Sequence, residues 1–248
     1  MSVRQVSNRG GNIIGHFPFI RTRQMVPYES TIERDFLYVA NHSPGVTAIE
    51  AQPLCVEYWH EGKRHYTPDF LVGMADRDLL IECKRAVEVG TEENRRKWEA
   101  ARRLCYECHW EFVVVTERQL RTGPCLQNIK LLTQFARHSV LPQVRTLIFG
   151  VLMSHTEEGE KNGYCGWVPL TIDGLASRIA PEQPQSAISS IMHLAFHRQL
   201  IVPLDTAPLG GGSSIWLPRY PPPASSSSHA PILPTLFTIP SQASDYSP

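Results

Sequence analysis

The sequence predicts an α/β domain built on a mixed β-sheet, followed by a helical unit whose elements run in a winged-helix order. Three observations carry this. Between residues 29 and 125, short strand-like stretches stand between two stretches with helical periodicity. Phe112-Val113-Val114-Val115 is fully apolar, the signature of a strand buried on both faces. From 126 to 218 charge thins, helical spacing dominates, and the segment ends in Gly210-Gly211-Gly212.

Taken in order, Ser30-Thr31-Ile32-Glu33 has capping-box spacing, and Ile32, Phe36, Leu37 and Val39–Ala40 give a helical apolar face up to about Asn41. A strand is expected over Val46–Ala51. Leu54–His60, Glu61-Gly62 and Lys63–Tyr66 read as a hairpin. Phe70–Val72 and Leu79–Lys84 follow as an antiparallel pair around Gly73–Asp78. Thr91 caps a helix running through Trp98, Ala101 and Leu104–Cys105, and Phe112–Val115 is the last strand.

Composition bounds what such a chain can do. Of 248 residues 42% are hydrophobic, enough for a real core, and 24 Lys+Arg balance 24 Asp+Glu. Neutrality argues against a passive nucleic-acid coat, but not against an enzyme meeting DNA over a small footprint. Charge is uneven: residues 1–28 carry Arg4, Arg9, Arg21 and Arg23 with no acid, a short basic arm. No apolar run reaches 18 residues, and MSVRQVSNRGG lacks an apolar signal core, so no membrane partner and a cytoplasmic location are expected. The cysteines (55, 83, 105, 108, 125, 165) are expected to be reduced thiols. The organisation expected is an arm over 1–28, an α/β domain over 29–125, a winged-helix-like domain over 126–218 and a Pro/Ser-rich tail over 219–248.

The chemistry lies in Tyr66-Thr67-Pro68-Asp69-Phe70 and, twelve residues on, Glu82-Cys83-Lys84. On a strand, Leu79, Ile81 and Cys83 face one side, and Leu80, Glu82 and Lys84 the other. Glu82 and Lys84 then stand about 7 Å apart. If the turn at 73–78 brings Asp69 beside Glu82, two carboxylates converge next to a lysine. Carboxylate and carbonyl oxygens suit Mg²⁺ or Mn²⁺, and a lysine can hold the attacking water or offset charge on phosphorus. This is the PD-(D/E)xK pattern of restriction-endonuclease-like nucleases, although charged residues two apart on an edge strand also arise for purely structural reasons.

Further stretches narrow the match. Ser30–Phe36, Ile49-Glu50-Ala51-Gln52-Pro53, Tyr66–Val72, Ile81–Lys84 and Val113–Glu117 together resemble the TnsA endonuclease family, the nuclease subunits of heteromeric DNA transposases. The resemblance implies a Mg²⁺-dependent cut (Mn²⁺ substituting) at the 5′ ends of a mobile element in double-stranded DNA, with a TnsB-like recombinase cutting the 3′ ends. It carries catalytic roles onto Glu33, Asp69, Glu82 and Lys84, with Glu33, Asp69, Glu82 and the Cys83 backbone carbonyl as metal donors. Some members have Gln at the place of Glu82, which leaves its share of the metal open. Glu33 alone could equally close the capping box; the resemblance turns it toward metal. A bacterial, nucleoid-associated complex is the implied setting.

Arg95, Arg96 and Lys97, with Arg102 and Arg103, form either a solvated helix face or a phosphate contact. Cys105-Tyr106-Glu107-Cys108-His109 matches a haem-attachment string, but Cys105 and Cys108 are expected on the core face of a helix. His193 and His197 read as ordinary helix residues, since no Glu stands beside His193.

In the second zone, Gln143–Met153, Leu170–Ile179 and Pro184–His197 are expected helices, then a strand Leu200–Leu204, a wing Asp205–Ser214 and a returning strand Ile215–Leu217. The last helix offers mainly Gln185, Ser186, Ser189, Ser190, His193 and Arg198, so either a weak DNA contact or protein docking is open. TnsA relatives similarly carry a C-terminal winged-helix-like domain that meets a TnsC-like regulatory ATPase. In the tail, Pro231–Pro240 is either an incidental linker or a docking peptide. Two rival readings remain: a stand-alone restriction or repair nuclease of the same fold, and an inert DNA- or protein-binding regulator.

Overall fold

The computed structural model describes residues 13–161 and 170–219. The chain divides into two compact units between Thr122 and Gly123, a few residues before the boundary expected at 125. Gly123 takes a φ of +70° and Pro124 follows it, so the helical geometry on either side cannot run through. Arg4, Arg9, Cys165 and the Pro231–Pro240 cluster lie outside the described residues.

The first unit opens with a β-hairpin, β1 (Gly15–Phe19) and β2 (Gln24–Tyr28), where the sequence suggested a free arm. Phe17, Phe19 and Val26 are buried by it, and Phe17 meets Tyr38 edge to face at 4.8 Å. Arg21 donates to the carbonyls of Ser43 and Pro44, just past the end of α1 (Thr31–His42). Part of the expected basic arm is therefore a structural clamp on the chain leaving α1, where the Ser43 carbonyl also accepts from Val46 N–H.

The central sheet has four strands in the order β3 (Val46–Ala51), β6 (Phe70–Met74), β7 (Asp78–Lys84) and β8 (Trp110–Thr116). The first two pairings are antiparallel and β7–β8 is parallel, with α2 (Glu92–Cys108) as the crossover. β4 (Val56–Trp59) and β5 (Lys63–Tyr66) form a separate hairpin. Its three-residue loop, His60–Gly62, takes positive φ at Glu61 and Gly62, which lets the chain reverse between the strands. α3 (Glu117–Arg121) ends the unit, tied to α1 by Arg121 Nε on the buried Asp35 at 2.8 Å.

Strand β7 differs from expectation in one respect. Both of its faces are buried from Leu79 to Cys83, not only the Leu79–Ile81–Cys83 face. α2 lays Ala101 and Cys105 against Leu80, with Tyr66, Leu71, Trp110 and Phe112 around them. On the α1 side Phe36 stacks on Phe70 at 5.4 Å. A sheet covered on two sides is what a β–α–β crossover produces. Cys105 is buried there, whereas Cys108 is exposed, and His109 closes α2 in the left-handed conformation. The five described cysteines are free thiols.

The second unit comprises α4 (Cys125–Thr133), α5 (Pro142–Lys161), β9 (Leu170–Thr171), α6 (Ile172–Ile179), α7 (Gln185–Phe196) and β10 (Ser214–Ile215). β10 pairs with β9, and Ile201 makes a single bridge to Trp216 in place of the longer strand expected over Leu200–Leu204. The buried Asn128 secures the intervening loop, donating to the carbonyls of Leu204 and Ala207 and accepting from Leu209 N–H. Gly211 passes close to Asp173: a Cβ there would sit 2.0 Å from the Asp173 carboxylate and displace it, and the Asp173 backbone N–H bonds the Gly211 carbonyl. Among the described residues no helix is long and apolar enough to cross a membrane.

Candidate functional site

The antiparallel register of β6 on β7 sets Phe70 opposite Ile81, so Asp69, one residue earlier, falls beside Glu82 and Cys83. Asp69 is then held at three atoms. Its N–H donates to the Ile81 carbonyl at 3.0 Å, its carbonyl accepts from Gln52 N–H at 2.8 Å, and its Oδ2 accepts from Cys83 N–H at 2.6 Å. Glu82 is buried on the α2 side of β7, against Trp98. Its Oε2 and the Trp98 Nε1 are both buried without a hydrogen bond, the indole N–H missing the geometry one would need. Lys84, at the end of the strand, is partly exposed and lies 3.7 Å from Glu88 Oε2.

Glu33 enters from the first turn of α1. Its N–H donates to Ser30 Oγ at 3.1 Å, the capping half of the expected box. Its Oε2 does not return to the cap residue but accepts from Glu29 N–H at 2.7 Å. The carboxylate is buried, so the capping function and proximity to the centre coexist, with one oxygen committed to the backbone.

Electrostatics place these groups in one field. Burial, then Glu82 and Glu33 as like-charged neighbours, hold the Asp69 carboxyl well above its usual range, against the pull of Cys83 N–H and Lys84. Burial pushes Glu82 up to about 7, with Lys84 and Lys97 pulling it back and Glu33 adding to the rise. Burial also raises Glu33, opposed by its bonds to Glu29 and Ser30. Three carboxyls that resist ionising together, with a lysine beside them, form a perturbed cluster of the kind found at catalytic centres.

Among the described residues no group of three or more His, Cys, Asp or Glu is arranged to enclose a metal ion. Glu33, Asp69 and Glu82 therefore share a field without forming a cage, and the Glu29 and Cys83 amides hold one oxygen each of Glu33 and Asp69. Mg²⁺ needs no such cage: it is held by one or two carboxylates with water and substrate phosphate. The orphaned Glu82 Oε2 beside Asp69 offers hard oxygen in a place that like charge makes unfavourable without a cation, and so the residues present fit a divalent cation.

Arg95, Arg96 and Lys97, read as either a solvated helix face or a phosphate contact, form ion pairs within α2. Arg95 and Arg96 pair with Glu92 at 3.5 and 2.9 Å, and Lys97 with Glu93 at 2.6 Å. Arg95 and Arg96 line a cleft of about 600 Å³ between α2 and β4, whereas Lys97 is mostly covered and acts on Glu82. Sequence reasoning missed Trp98 and Tyr66 as neighbours of the carboxylates; Tyr66, with its hydroxyl buried, is itself raised by burial and by Glu82. Helical spacing on α2 marks Trp98 as a core residue, and nothing in it signals that the core there contains Glu82.

In the second unit His193 and His197 bond the Phe135 and Ala136 carbonyls, the ordinary helix role expected of them. Ser190 is buried against His138.

Residues 43–117 match the family model described as the TnsA-like endonuclease N-terminal domain. The span takes in Asp69, Glu82, Cys83, Lys84 and Arg95–Lys97, while Glu33 precedes it. No curated protein matches the chain.

Proposed function

From the premise that this chain carries a TnsA-like endonuclease N-terminal domain, we propose that it is the metal-dependent nuclease subunit of a Tn7-like transposition complex, cutting the 5′ ends of a mobile element. The observation that carries the reading is the convergence of Asp69 and Glu82 beside Lys84, produced by the β6–β7 register. Mg²⁺ or Mn²⁺ bound there would supply neutralising charge and lower the pKa of water. Asp69 and Glu82, with Glu33 and the Cys83 carbonyl in support, offer the oxygens that hold it. Lys84 stabilises charge developing on the phosphate as water adds, one P–O bond breaks and the leaving oxygen takes a proton. Glu82 is buried against Trp98, which keeps the local dielectric low.

The element order α5, β9, α6, α7, loop and β10 supports a winged-helix reading of the second unit. Most of α7 is buried and two of its expected outward residues, Ser190 and His193, bond within the unit, which favours protein docking over base reading. The docking partner in this reading is a TnsC-like regulatory ATPase. The TnsB-like recombinase then brings the DNA ends. Residues 1–125 hold 17 Lys+Arg and 17 Asp+Glu, so recognition of duplex DNA by this chain alone is weak and salt-sensitive. The test is cleavage of element-end duplex in Mg²⁺ with and without the recombinase. Efficient cutting of arbitrary duplex by the isolated chain at physiological salt would favour a stand-alone nuclease. No Mg²⁺-dependent cutting with the recombinase present would favour an inert regulator.

A further inference from the structure

Gln52 stands immediately after β3 with a φ of +50°, a left-handed conformation that residues other than glycine rarely adopt. Pro53 disfavours the right-handed alternative at this place, and two hydrogen bonds hold the turn. The Gln52 N–H donates to the Asp69 carbonyl at 2.8 Å. Its side-chain Nε2 donates to Glu29 Oε1 at 2.9 Å. Glu29 in turn donates its backbone N–H to Glu33 Oε2 at 2.7 Å. One residue thus joins the two acids that come from different elements: Asp69 through the main chain, and Glu33 through the residue that holds its carboxylate. We infer that Gln52 is a positioning residue of the proposed nuclease centre, setting Glu33 against Asp69 by way of Glu29.

The inference rests on the nuclease reading above, but its geometry can be tested separately. The amide side chain acts as a donor, so an isosteric acceptor cannot replace it. Gln52→Glu keeps the size and backbone of Gln52 and turns a carboxylate toward Glu29. Gln52→Gly relieves the left-handed strain and keeps the bond to Asp69, yet lacks the side chain. The experiment is amide hydrogen exchange by NMR on the full chain, together with Mn²⁺ binding followed by electron paramagnetic resonance. The Glu29 amide should exchange at least about 10-fold faster in both variants, while Leu80 and Ile81 in β7 keep their protection. Mn²⁺ affinity should fall by roughly 10-fold or more in both, as it does when a group that orients metal ligands is lost. Unchanged Glu29 exchange in Gln52→Glu would overturn the inference, as would unchanged Mn²⁺ affinity in that variant. A wild-type chain that binds no Mn²⁺ at millimolar concentration would instead overturn the metal-nuclease reading, and the inference with it.

Discussion

The backbone amide of Cys83 donates to Asp69 Oδ2 at 2.6 Å, which fixes the carboxylate just ahead of β6 onto the backbone of β7, between Glu82 and Lys84. That bond separates two effects of replacing Asp69. Asp69→Asn can keep an oxygen on Cys83 N–H while removing a negative charge crowded by Glu82 and Glu33. Its melting temperature at pH 7.5 without metal should rise, by about 1–2 kcal/mol of stability. Asp69→Ala leaves the Cys83 amide without its acceptor, a loss of about 1 kcal/mol that offsets the same relief. Thermal melting of both variants checks the order.

Glu82 supplies a pH prediction. Its carboxyl is raised to about 7 in the folded chain by burial. A raised carboxyl binds its proton more tightly when folded, so its contribution is fully present below the ordinary Glu range near 4.5 and is lost as pH rises through about 7. The metal-free chain should therefore lose roughly 2–3 kcal/mol between pH 4.5 and 8 that Glu82→Gln does not lose. Addition of Mg²⁺ should restore stability most at the alkaline end. Denaturant melts of both chains across that range are the measurement.

Much of the fold around this centre is legible in the sequence, and each miss has its own physical cause. The capping pattern at Ser30, the hairpin at Glu61-Gly62 and the apolar run at Phe112–Val115 are local signals, and each marks its element. The β1–β2 hairpin hides because Pro18 and Pro27 stand in its strands, and proline demotes a strand reading. Strand period places Glu82 with Lys84, but cannot show that α2 covers that face, since the cover comes from residues 92–108. Likewise the pairing of Arg95–Lys97 with Glu92 and Glu93 is a helical-spacing contact that a search for basic clusters passes over.

In the second unit, Asn128 makes three bonds to the loop at 204–209 from a buried position. Asn128→Ala would leave two carbonyls and one N–H without those partners, at a cost of about 2–4 kcal/mol. Unfolding of the second unit should shift to lower denaturant, with the first unit's transition unchanged. Tryptophan fluorescence of Trp216 against that of Trp98, in variants retaining one or the other, reads the two transitions.

The exposed arginines of α2 should matter little to DNA affinity. Arg95 and Arg96 are both engaged with Glu92. Replacing both by alanine should reduce the salt dependence of binding by at most about two phosphate contacts, and leave the cleavage rate at saturating DNA within a few-fold. Fluorescence anisotropy across salt concentrations gives the slope.

The central claim is that Asp69, Glu82 and Lys84 form a metal-dependent nuclease centre, and single-turnover cleavage of element-end duplex tests it most directly. The full chain is assayed with its recombinase partner, with Mg²⁺ or with chelator, as wild type and as Asp69→Ala and Lys84→Ala. Wild type should cut the 5′ ends only with Mg²⁺. Both variants should melt as cooperatively as wild type and lose at least about 10²-fold in rate. Cutting that persists in chelator, or at full rate in either variant, would contradict the account.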